Sequence, residues 1–198
     1  MRKFTYIFIS LMFFITLSAC SSEETLEDLL EKLDTADSYT VHTRMSRALV
    51  GPFESFEYVE GNKRYVIAGG VQTDQIEEEY YIYEDDEGNI YFYQRDHTGQ
   101  WRKELIEDIP PEESEEADDF ISMSADWFSK DNGVYILKSE YYDQFFQESD
   151  AYITELEIEI EGGSLYMTYT LADPEGYSIR INTSIINIGE TTVELPFE

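Results

Sequence analysis

The stretch Glu155-Leu156-Glu157-Ile158-Glu159-Ile160-Glu161-Gly162-Gly163-Ser164-Leu165 decides the fold class. Leu156, Ile158 and Ile160 alternate with four glutamates. That period of two puts an apolar row and a charged row on opposite faces of one strand. Such a strand belongs in an antiparallel sheet with one face covered and one in water. Gly162-Gly163 then gives the backbone freedom of a tight turn into a second run, Leu165–Leu171. Asp173-Pro174-Glu175-Gly176 turns the chain again into Tyr177–Ile188. Gly189 breaks that strand, and Thr191–Leu195 is expected to add a last short one.

The same period recurs upstream. Tyr39, Val41, Thr43 and Met45 share one face of an expected strand, and Thr40, His42, Arg44 and Ser46 share the other. Extended runs follow at Ser55–Val59, Lys63–Ala68 and Gln75–Glu84. Tyr80-Tyr81-Ile82-Tyr83 and Ile90-Tyr91-Phe92-Tyr93 read as hairpin arms joined around Asp85-Asp86-Glu87-Gly88-Asn89, and Trp101–Ile106 adds a further strand.

Two segments carry helical spacing. Leu26, Leu29, Leu30 and Leu33 form a stripe that starts at a capping box, Thr25 with Asp28, and stops across Asp34–Ser38. A middle helix is expected from Phe120, Met123, Ser124, Trp127 and Phe128, with Asp131-Asn132-Gly133 as its stop signal. A strand at Val134–Ser139 and a short helix at Tyr141–Gln147 follow. Glu107–Asp119, acidic and interrupted by Pro110-Pro111, reads as an exposed loop.

This order gives an α+β domain on a large, curved antiparallel sheet, with the N-terminal and middle helices packed on its concave face. About eight or nine long strands would tend to curl or close partly. Tyr39, Val41, Trp127, Phe128, Ile158, Ile160, Ile179 and Ile181 are the apolar positions expected in its core or against an apolar ligand.

Charge and composition bound the function. The chain has 198 residues, 13 Lys+Arg and 43 Asp+Glu, for a net charge of -30, yet its 16 Tyr and 12 Phe are those of a folding chain. Nucleic acid is excluded as a partner, because a surface this acidic repels it. The acid excess reads first as a solvated, self-repelling surface. The other reading is attraction of a basic partner by a surface interaction or sensor module.

Few residues suit catalysis. His42 and His97 lie far apart in sequence and outside any metal-ligand spacing, and both read as surface residues. Carboxylates are so abundant that chance pairs mean little. Asp85–Asn89 has oxygen ligands for Ca²⁺ but lacks the alternate acids and distal Glu of an EF-hand, so a hairpin turn is the better reading. Gly69-Gly70 and Gly162-Gly163 sit at strand ends with no following Lys, unlike phosphate loops. No enzyme activity, metal or cofactor is expected. The aromatic hairpin keeps two readings, cross-strand stacking within a covered sheet or the wall of an apolar cavity.

Residues 1–19 have the three parts of a secretory signal: Arg2 and Lys3, an apolar run from Phe4 to Leu17, and a small-residue end. The run is too short for a spanning helix, which needs about 20 apolar residues. Its close, Leu17-Ser18-Ala19-Cys20, resembles the bacterial lipobox. In that family of signals the cysteine receives a diacylglyceryl group and becomes the first residue of the mature chain. Cys20 is the chain's single cysteine. Residues 20–24 are then a lipidated tether, and 25–198 a single domain held at the outer side of the cell membrane by acyl chains. Losing Arg2 and Lys3 with the signal would leave a net charge of -32.

The lipobox, the leading helix, the strand opening at Ser38-Tyr39-Thr40-Val41, and the close Ile188-Gly189-Glu190-Thr191-Thr192-Val193-Glu194-Leu195-Pro196 resemble small lipoproteins of Gram-positive bacteria. Those share the fold of the bacterial lipoprotein-carrier proteins and the mycobacterial lipid-transport lipoproteins. The resemblance implies an incomplete, curved β-barrel whose helices cover an apolar cavity for acyl chains. It therefore implies a non-enzymatic binder or carrier of a lipid or other hydrophobic molecule. No catalytic residue follows from it. The acidity departs from that pattern and leaves open a packed core in place of the cavity.

Overall fold

Leu26, Leu29, Leu30 and Leu33 form one stripe of helix α1 (Leu26–Asp34), and all four are buried. The capping box closes its first turn: Thr25 Oγ1 accepts the Asp28 N–H at 3.2 Å, and the Asp28 carboxylate accepts the Thr25 N–H at 3.0 Å. The structure, a computed structural model, describes residues 24–47, 51–71, 75–106, 123–144, 152–172 and 175–197. The expected signal, Cys20 and the acidic loop at 107–119 lie outside the described residues.

The strands are β1 (Ser38–Arg47), β2 (Gly51–Glu60), β3 (Lys63–Gly70), β4 (Gln75–Glu84), β5 (Ile90–Arg95), β6 (Trp101–Ile106), β7 (Phe128–Asp131), β8 (Val134–Leu137), β9 (Tyr152–Glu161), β10 (Ser164–Ala172) and β11 (Ser178–Ile186). They form one antiparallel sheet in the order β6-β5-β4-β3-β2-β1-β11-β10-β9-β8-β7. Two meanders thus meet where β1 pairs with β11, and β6 and β7, consecutive in the chain, stand at opposite edges.

Register aligns the apolar rows. Val41 lies opposite Ile185, Met45 opposite Ile181, Ile181 opposite Tyr169, and Tyr169 opposite Leu156. A one-residue slip would turn every one of these side chains to the wrong face. The α1 leucines pack on this face with Val59, Phe128, Leu137, Ile158, Leu165 and Met167.

The expected α+β architecture, an incomplete barrel with N-terminal and middle helices on its concave face, is corrected. The chain is mostly β, an eleven-stranded antiparallel sheet, and α1 is the single α-helix among the described residues. In place of the middle helix, Ala125–Trp127 makes one 3-10 turn and Phe128 enters β7; Phe120 lies outside the described residues. The cause is local. Asn132 and Gly133 take φ of 50° and 92°, so Asp131-Asn132-Gly133 reverses a strand instead of closing a helix. Phe128 then pairs with Leu137, and both are buried.

Two smaller expectations change as well. Ser139–Gln144 is a 3-10 turn where a short helix was expected, with residues 145–147 outside the described residues. Thr191–Leu195 forms no strand, and the Val193 N–H and C=O bond to the Glu60 and Lys63 side chains and not to a ladder. The Thr191 hydroxyl meets that of Thr40 at 2.8 Å, and the Val193 N–H donates to Glu60 Oε2 at 2.9 Å.

Candidate functional site

The face that carries the core continues across β3–β6 with a different lining. Val59, the last core position on that side, lies opposite Arg64, Arg64 opposite Ile82, and Ile82 opposite Phe92. Tyr80 lies opposite Gln94, and Ile90 opposite Ile106. Among the described residues, the packed core takes none from β3, β4, β5 or β6. The four strands instead floor an open groove of about 1000 Å³.

Tyr80, Ile82, Ile90, Phe92 and Ile106 give the floor its apolar character, and the Tyr80 and Phe92 rings meet at 5.1 Å with a 36° tilt. Ile76, 59% exposed, stands at one end. A register irregularity beside it pairs Ala68 with Glu78 and Gly69 with Ile76, so Glu77 is the extra residue of a bulge. Glu78 and Glu84 stand toward the two ends of the floor.

Charge in the groove falls into two classes. Arg64 Nη1 lies 3.4 Å from Glu57 Oε1, both partly buried, at the border between core and groove. Arg95 and Glu79 border the groove but turn their side chains to the opposite face of the sheet, where Arg95 Nε donates to Glu79 Oε2 at 2.8 Å and this bond raises the affinity of the guanidinium for its proton. Glu77, Glu78 and Glu84 form no ion pair among the described residues.

The opposite face of β1–β6 is a ladder of stacked rings. His42 and Phe56 stack at 4.2 Å within 1° of parallel, Tyr58 and Tyr65 at 5.6 Å, and Tyr65 and Tyr81 at 4.3 Å. Arg95 lies over Trp101 and Lys103 over Tyr91. The Tyr65 hydroxyl donates to Glu79 at 3.1 Å, and burial together with that bond drives its pKa up. The C-terminal segment crosses this face and sets Phe197 against Tyr93, which is buried.

No protein-family model matches the chain, and no curated protein matches its sequence. The site is therefore defined by its own residues.

The structure places the eight named apolar residues away from the groove. Tyr39, Phe128, Ile158 and Ile181 are core residues, and Val41, Trp127, Ile160 and Ile179 pack against that core. The two readings of the aromatic hairpin apply to its two faces: Tyr80 and Phe92 wall the groove, while Tyr81, Tyr83, Tyr91 and Tyr93 belong to the ladder. His42 is half-buried in that ladder, with Nε2 3.5 Å from Glu54 Oε1 and no hydrogen-bond geometry between them. His97 is exposed in a turn. The Asp85 carboxylate is taken up by Glu87 and Asn89, the work of a hairpin turn. Among the described residues, no three His, Cys, Asp or Glu side chains lie together as a metal site. Sequence reasoning missed Arg64, Glu78, Gln94 and Ile106, whose common face follows only from the register of four strands.

Proposed function

We propose that the protein is a lipid-anchored binding protein on the outer side of the cell membrane, and that the groove over β3–β6 holds an apolar ligand. The observation that carries this reading is an apolar, ring-bearing floor that the packed core leaves open among the described residues. Its volume is at the upper end of the range for small-molecule sites, about 300–1,000 Å³. The floor offers ring faces and aliphatic branches, with charged groups toward its border and ends, which suits retention of an apolar body by shape. Leu17-Ser18-Ala19-Cys20 supports the anchor, since two or three acyl chains hold a protein stably where one is marginal.

Native mass spectrometry of the protein recovered from its own membrane tests both parts. The chain should carry acyl mass on Cys20, together with a further, dissociable apolar species. Phe92→Glu should lose that species while keeping the acyl mass. An unacylated chain overturns the anchor, and an acylated chain without ligand overturns the groove reading.

A second reading has its own observation. Glu155, Glu157, Glu159 and Glu161 form an exposed row on β9 with no ion pair among the described residues. Such a row would attract a basic partner, and capture of that partner should vanish in high salt. Capture unchanged by salt would contradict it.

A further inference from the structure

The charges around the groove restrict what its ligand can be. Along β4, Glu78 and Glu84 are six residues apart, about 20 Å at the rise of a strand. Between them the same face presents Tyr80 and Ile82, with Phe92 alongside on β5. The lining thus reads carboxylate, apolar floor, carboxylate, with Glu77 added at the bulged end.

The cations present are already engaged. Arg64 faces Glu57 at 3.4 Å, and Arg95 turns away to the opposite face, where it is bonded to Glu79 at 2.8 Å and lies over the Trp101 ring. Among the described residues of this lining, an anionic head, whether carboxylate, sulfate or phosphate, would meet glutamates outside any ion pair and no cation outside one. It would also approach a chain of net charge -30. A cationic head meets the reverse. An ammonium group placed at either end finds a carboxylate without a partner among the described residues, while its tail lies on Tyr80, Ile82 and Phe92. The faces of Tyr80 and Phe92 add the attraction of aromatic rings for a cation.

We infer that the groove selects cationic amphiphiles, molecules with an ammonium or similar positive head on an apolar tail. This inference rests on the groove reading and adds the sign of the head group to it. Selection is by complementarity of charge at the ends and of apolar surface in the middle, with no covalent step.

The test uses membranes carrying the full chain and three photoreactive probes with one shared alkyl tail. Their heads are trimethylammonium, hydroxyl and sulfate. After irradiation, peptides of β4 and β5 are quantified by mass spectrometry, for the wild type and for a Glu78→Gln/Glu84→Gln variant. Both glutamates are exposed, so the variant retains the fold, and an unchanged melting temperature verifies this. The comparison of two proteins in one membrane cancels the different partition of the probes into lipid.

The ammonium probe should label the β4–β5 floor of the wild type about tenfold more than the variant, the size of one modest charge interaction. The hydroxyl probe should label both equally, and the sulfate probe should label the variant more. Equal ammonium labelling of the two proteins, or stronger sulfate labelling of the wild type, overturns the charge selection and leaves the groove reading standing. Absence of β4–β5 labelling by all three probes overturns the groove reading itself.

Discussion

Asp96 starts the turn between β5 and β6 and gathers it around one carboxylate. Its oxygens accept the Thr98 hydroxyl at 2.5 Å, the Thr98 N–H at 2.8 Å, the Gln100 N–H at 3.2 Å and Arg102 Nε at 2.8 Å. Asp85 does the same in the turn before, and both turns read Asp-x-x-Gly-x. Gly88 and Gly99 take φ of 81° and 79°, a region open to glycine at little cost. The bonds, the Thr98 hydroxyl foremost, hold the Asp96 carboxyl well below the usual carboxylate range. A carboxyl depressed in the folded state stabilises the fold above its unfolded pKa, about 3.9, and that contribution is lost as pH falls through the folded value. Asp96→Asn should therefore melt below the wild type at neutral pH, with the gap closing on acidification below about pH 4. Thermal melts across pH measure this, and equal melting temperatures at neutral pH would contradict it.

At the scale of elements, α1 is the cover of the packed half of the sheet. Leu26 and Leu29 are fully buried, so shortening either leaves a hole in a close-packed region. Leu29→Ala should cost about 2–5 kcal/mol in denaturant unfolding, and a loss under 1 kcal/mol would show that the helix is not seated as described. This helix was legible in the sequence because its cap and its stripe are both local signals. The long strands were legible for the same reason: a period of two between glycine turns needs no knowledge of the rest of the chain. β7 was not. Trp127, Phe128 and Asn132-Gly133 fit the end of a helix as well as a hairpin, and only the pairing of Phe128 with Leu137 decides between them. The groove was half legible. Tyr80 and Phe92 stood out as rings in a hairpin, whereas Arg64, Glu78 and Ile106 join them only through register from β3 to β6.

For the whole molecule, the sheet divides its work between two halves of one face. Over β7–β11 and β1, helix α1 and the core seal the surface. Over β3–β6 the same face is, among the described residues, an open groove with an apolar floor bordered by carboxylates. A rigid, packed half beside an open one is a sound basis for binding, because the register that fixes the core also fixes the groove. The central claim is that a ligand occupies this open half. Amide hydrogen exchange on the full chain, with and without the apolar extract of its own membrane, tests that claim most directly. The extract should slow exchange in β4 and β5, around Tyr80–Ile82 and Ile90–Phe92, and leave β9 and β10 unchanged. Unchanged exchange in β4 and β5, or protection confined to β9 and β10, would contradict the account.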